Sequence, residues 1–203
     1  PVGGSYDLLI SGEEMRNLFS LFQYKTSVQA LFPGYSDWKV GYAVQKEDIE
    51  GERINMTLHA QRPYSGEGIP MKDHKVMEEG KVVGIHGPSR LSEYMGVTAT
   101  GAYDSMIVSN GSVDMETLKE KPYIHVLNYS DFDMDPDTGH FCGEIRLARL
   151  FDGEKTTYVT GGSVSGNLLK RQDSLLFSKE RYKSAAYDGP YMVRIPSVSI
   201  AGR

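Results

Sequence analysis

The sequence predicts an α+β protein, β-rich with antiparallel strands and hairpins plus two or three short helices. Three observations carry that class. A capped, amphipathic helix follows a short apolar strand at the start of the chain. Glycine-bearing hairpin turns recur at Glu79-Gly80 and Asp152-Gly153. The stretch Lys155–Lys170, KTTYVTGGSVSGNLLK, changes its hydrophobic period partway along. In that stretch Thr156 to Thr160 are β-branched or aromatic and suit a pleated surface, Gly161-Gly162 breaks or bulges the run, and Val164 resumes it. Gly166-Asn167 then reads as a turn and helix cap, so a short helix is expected over Leu168 to Gln172. A glycine-rich turn ahead of a helix can also cradle phosphate. Neither GxGxxG nor GxxxxGK[ST] is present, so a tight backbone crossing is the expected role.

The other elements follow in order. Tyr6–Ile10 is a short apolar strand, and Ser11-Gly12-Glu13-Glu14 has the S-x-x-E form of a capping box. Met15, Leu18, Phe19 and Phe22 recur at i, i+3, i+4 and i+7, which gives the ensuing helix one inward face. An irregular stretch to Trp38 precedes a candidate strand at Lys39–Gln45, and Ile49–Ala60 alternates as a strand with His59 on its polar side. Met71–Met77, turning at Glu78-Glu79-Gly80-Lys81 into Val82, Val83 and Ile85, reads as a hairpin. Leu91–Met95 supports a helical turn, Ile107–Ser109 a strand, and Val113–Glu120 a brief helix ended by Pro122. Strands are expected at Tyr123–Tyr129, Phe141–Leu150 and Tyr191–Ala201.

Composition narrows the function. A chain of 203 residues buries a sizeable core, and a formal charge of −5 opposes binding to nucleic acid or an anionic membrane, both of which require clustered Lys and Arg. The single Cys142 excludes an internal disulfide and fits a reducing, cytoplasmic compartment. No apolar run is long enough to cross a bilayer as a helix. Pro1, running almost at once into a strand, suggests a fragment of a longer protein.

Two clusters invite chemistry. Asp131, Asp133, Asp135 and Asp137 open like a calcium loop, but Pro136 replaces the turn glycine and Cys142 the bidentate glutamate, so an EF-hand is excluded. A looser divalent-cation site is the alternative to a solvated hairpin loop closed by Thr138-Gly139. Cys142 and His140, two apart on a strand, share a face and form a candidate thiol site without an evident orienting group. No two histidines stand at i, i+4, and Ser163 and Ser165 lie in G-G-S-V-S-G rather than G-x-S-x-G.

Several stretches together resemble the C-terminal domain of the TldD/PmbA family, metallopeptidase-related proteins also described as candidate modulators of DNA gyrase. The opening PVGGSYDLLISGEEMRNL, WKVGYAV, SGEGIPMKDHKVMEEGKVVG, TGAY, TGHF, GGSVSGNL and IPSVSIAGR follow in the family's order, with Tyr42 where the family has glutamate. The resemblance implies a single domain over residues 1–203, with the family's N-terminal α/β domain preceding Pro1. It also separates two kinds of member. TldD-type chains carry an H-E-x-x-x-H zinc helix near the start of this domain and a cysteine-glycine-lysine segment near its end. Here the helix begins SGEEMRNLF, and Tyr187-Asp188-Gly189-Pro190 occupies the later region. The resemblance is therefore to the PmbA (TldE) side. It implies no catalytic, cofactor or metal residue. The expected role is a non-catalytic partner, as a homo-oligomer or with a TldD-type subunit, acting on a peptide substrate. An active metal- or thiol-dependent hydrolase and a protein-binding gyrase modulator are the alternatives.

Overall fold

The structure, a computed structural model, describes residues 1–202. Arg203, the last residue of the closing motif, lies outside the described residues. The first part of the chain forms β1 (Gly4–Ser11), α1 (Glu14–Lys25), α2 (Val28–Leu31), β2 (Met56–His59), β3 (His74–Glu78) and β4 (Lys81–Val82). Then come α3 (Ser89–Met95), β5 (Ser105–Val108), α4 (Met115–Leu118), β6 (Tyr123–Met134) and β7 (His140–Phe151). The remainder is β8 (Thr156–Val159), β9 (Ser163–Asn167), β10 (Leu176–Phe177), β11 (Arg181–Lys183), β12 (Tyr187–Pro190) and β13 (Met192–Ala201).

The β-rich class is as expected, with four α-helices among the described residues where two or three were predicted. The sheets are mixed rather than purely antiparallel. One runs β1-β6-β7-β9-β13-β10, and because β13 also pairs with β1 its first five strands close into a barrel. The other runs β11-β12-β5-β2-β3-β4. Parallel contacts occur at β1–β6, where Leu8 faces Ile124, and at β5–β12, where Met106 faces Tyr187. These strands are far apart in sequence, so hairpin signals could not reveal them.

Burial follows the predicted patterns. Met15, Leu18, Phe19 and Phe22 are fully buried, and one continuous core joins them to barrel residues such as Ile124, Phe141 and Ile195 and to Met56, Val76 and Met106 of the second sheet. Arg194 of β13, 6% exposed, ties the two ends of the chain together. It donates from Nε and Nη2 to Asp7 Oδ2 at 3.0 and 2.8 Å and from Nη2 to Pro122 O at 2.8 Å. A buried guanidinium is tolerable only with such partners.

Both predicted turns form. Glu79 and Gly80 have φ of 48° and 71° between β3 and β4, and Asp152 Oδ1 accepts from the N–H groups of Glu154 and Lys155 at 2.9 and 2.7 Å between β7 and β8. The helix expected after Gly166-Asn167 does not. Beyond Val159 the chain bulges at Gly161 and Gly162, φ 73° and 80°, which exchange hydrogen bonds with Ile145, and then resumes as β9. β9 pairs with β7 on one side and β13 on the other, and this double pairing outweighs the local turn signal. A 3₁₀ turn, Gln172–Ser174, follows in place of the helix, so the phosphate-cradle reading loses its helix, and the Gly161 N–H is committed to Ile145 O. The capping box also fails: Ser11 stays in β1, its Oγ lies 2.8 Å from His125 Nε2, and α1 starts at Glu14 without a side-chain cap. Lys39–Gln45 makes a single bridge, Ala43 to Lys81, and Ile49–Ala60 is strand only over β2.

Gly166 has a packing reason to be glycine. A Cβ there would stand 2.4 Å from Cζ of the fully buried Phe141. Gly166→Ala is expected to lower stability by about 1–3 kcal/mol through overpacking, read as a lower urea midpoint; an unchanged midpoint contradicts the packing.

Candidate functional site

Helix α1 separates an aromatic side from a polar one, and each side has distinct chemistry. On the apolar side, Phe19 lies 5.9 Å from Phe22, 5.7 Å from Phe177 and 6.1 Å from Tyr187, its ring nearly parallel to the last at 20°. Phe22 continues the cluster to Trp38 at 6.0 Å. Tyr187, on β12, is fully buried and donates its hydroxyl to Pro190 O at 3.1 Å. Burial pushes the Tyr187 phenol well up, so it stays neutral. The first helix and the Tyr187–Pro190 segment, distant in sequence, thus meet through stacked rings.

On the other side a cleft of about 420 Å³ opens, lined by Arg16, Ser20, Gln23, Tyr24, His86 and Tyr103 with their neighbours. Gln23 organises it. Its Oε1 accepts from Arg16 Nη2 at 3.0 Å, its Nε2 donates to Tyr103 O at 2.8 Å, and its main-chain oxygen accepts from His86 Nε2 at 2.8 Å. A carbonyl only accepts, so the His86 proton sits on Nε2 and Nδ1 is left as an acceptor, buried and without a partner. Burial pulls His86 down from 6.5 to about 4 against the pull of that hydrogen bond, and His74 lowers it further. Burial also lowers Arg16, offset in part by Asp104.

The aspartate run is divided by the fold. Asp131 and Asp133 lie on β6, opposite Glu144 and Cys142, and only Asp135 and Asp137 occupy the turn to β7. The expected loop is therefore shorter than the run. Asp135 acts as its cap: it accepts from Thr138 Oγ1 at 2.5 Å and from Asp137 N at 2.9 Å, which hold its carboxyl below the usual range. No cluster of three or more His, Cys, Asp or Glu converges among the described residues. His140 and Cys142 share an exposed face of β7, where Cys142 faces Asp133 and Ser165. The His140 Nε2 lies 3.0 Å from Ser165 Oγ. Sequence reading gave no role to Arg16, Gln23, His86 or Tyr103, although Arg16 lies in the quoted opening stretch and Tyr103 in TGAY. On α1 the first two look like any solvated face, and no spacing joins them to the other two far along the chain.

A family model described as the PmbA/TldA metallopeptidase C-terminal domain matches residues 3–202, and the chain belongs to that family. Among solved structures the fold is similar to TldE from Thermococcus kodakarensis, with 18% identity and a TM-score of 0.79, covering 100% of this chain and 51% of that one. It is similar also to a candidate modulator of DNA gyrase from Bacteroides thetaiotaomicron, with 19% identity and a TM-score of 0.80, covering 100% and 48%. A third, described in the same way, comes from Thermotoga maritima, with 16% identity and a TM-score of 0.79, covering 99% and 50%. The chain spans about half the length of these structures. No curated protein matches the sequence.

The metal implied by a metallopeptidase family can be tested against the junction of α1 and β12. Zinc takes thiolate, imidazole or carboxylate ligands. The junction presents aromatic rings, and its one hydroxyl, on Tyr187, is neutral and committed to Pro190 O. These residues do not fit zinc.

Two buried histidines set a pH response. His86 and His125 are each 6% exposed and held from 6.5 down to about 4, His125 by burial first and then by Arg149 and Lys119. The folded state keeps both neutral, so their contribution is complete above the unfolded value and is lost as pH falls from 6.5 towards 4. Moving from about pH 7.5 to about pH 5.5 should cost roughly 1 kcal/mol per histidine. Urea titrations at the two pH values check this; equal midpoints contradict it.

Proposed function

We propose that this chain is a PmbA/TldE-like domain serving as the non-catalytic partner in a TldD/PmbA-type assembly that matures or degrades peptides. The observation that carries the reading is the aromatic filling between α1 and β12, where Phe19, Phe22, Phe177 and Tyr187 stand in contact. Activation of water by zinc needs about three protein ligands and an open position, and a ring stack supplies neither. The family assignment supports the setting, and the likeness to a TldE structure supports the side of the family. Among the described residues no helix is long and apolar enough to cross a membrane. The site of action is the cytoplasm, and the partner is a TldD-type subunit or a second copy.

Light scattering on this chain mixed with a purified TldD-type subunit, run beside a casein or peptide cleavage assay, tests the reading. A heteromeric complex is expected, with cleavage only when that subunit is present. Chelator-sensitive cleavage by this chain alone would overturn it.

A further inference from the structure

We infer that the cleft on the polar side of α1 receives the C-terminal carboxylate of a peptide, Arg16 holding the carboxylate and His86 Nδ1 accepting the last amide N–H of the ligand. Three observations lead there. First, Arg16 is half-buried in the cleft wall, yet no carboxylate lies within 4 Å of it among the described residues; its one side-chain partner is the neutral Gln23. The chain has 27 acidic residues against 22 basic ones, and none lines this cleft, so the missing countercharge is not for want of candidates. The nearest influence, Asp104, is held by Arg62 at 2.7 Å. A desolvated guanidinium without an anion is costly, and its planar fork matches a carboxylate. Second, His86 is 6% exposed, lines the same cleft and has an Nδ1 with no partner. With its proton on Nε2 it can only accept, so whatever satisfies it must bring a donor.

Third, the two groups are positioned in advance. Both are fastened to Gln23, one to its side chain and the other to its main chain, and Gln23 is itself fixed on Tyr103 O. Tyr103 is held in turn by the hydrogen bond from its hydroxyl to Lys72 O at 2.8 Å. A ligand that satisfied both groups would bring an anionic fork and an N–H donor, and the terminus of a peptide has both. The cleft volume of about 420 Å³ exceeds what a small inorganic anion requires, and the walls of Tyr24, Ala102 and Tyr103 suit side-chain contact. This goes beyond the partner-domain reading and does not rest on it.

Isothermal titration of the protein with N-acetyl-trialanine tests the inference. The comparison ligands are its C-terminal amide, the acid methylated on its last amide nitrogen, and inorganic phosphate. The free acid should bind about tenfold more tightly than the amide, the difference of a charge-assisted hydrogen bond, and more tightly than the N-methylated acid. Arg16→Gln should remove the preference for the acid, with Arg16→Lys intermediate. Equal binding of acid and amide, no heat from any peptide at millimolar concentration, or an Arg16→Gln protein that keeps its preference overturns the site. An N-methylated acid that binds as well as its parent overturns the role given to His86, and phosphate competing as strongly as the acid overturns the peptide assignment. None of these readouts depends on a TldD-type subunit, so failure here is separable from failure of the partner reading.

Discussion

Burial of the apolar face of α1 is the contact on which the rest of this molecule depends. The helix touches β1 and β6 of the barrel and β12 of the second sheet, so it is the element that makes one core of two sheets. Phe19 and Phe22 are the largest side chains it buries there. Each full burial of such a ring contributes roughly 1.5–3 kcal/mol, and the ring contacts to Phe177, Tyr187 and Trp38 add to it. The functional consequence follows from the same atoms. The junction that joins the two sheets is filled with aromatic carbon and presents no imidazole or thiolate, the ligand types zinc prefers.

Two arginines illustrate how unevenly charge is treated in this fold. Arg194 is almost fully buried and answered by Asp7 and by main-chain oxygens, and it fastens the last strand to the first. Arg16 gives up part of its hydration with an amide oxygen as its side-chain hydrogen-bond partner and only a partial offset from Asp104. The first arrangement is what a folding requirement produces. The second leaves a guanidinium without a carboxylate partner at the wall of an open cleft.

Local signals in the sequence were legible where local chemistry decides the outcome. Glu79-Gly80 and Asp152-Gly153 specify their turns through backbone angle and side-chain acceptance, and the spacing of Met15, Leu18, Phe19 and Phe22 specifies a buried helix face. Gly166-Asn167 misled because its turn propensity is real but weaker than pairing with β7 and β13 on both flanks. Ser11 misled for a related reason: its hydroxyl had a partner from another strand, His125, rather than the helix it precedes. The family resemblance located both segments that meet at the aromatic junction. Nothing in the sequence joined Arg16 to His86, because what joins them is Gln23, and its hydrogen bonds to the two exist only after the chain has folded.

The central claim is that the α1–β12 junction is an aromatic contact unable to hold a catalytic zinc. Competition for zinc against a chromophoric chelator, on the purified protein, measures this most directly. The account predicts that the chelator keeps its zinc. Stoichiometric withdrawal of zinc with submicromolar affinity, accompanied by perturbed tyrosine and phenylalanine ring resonances at Phe19, Phe22 and Tyr187, would contradict it.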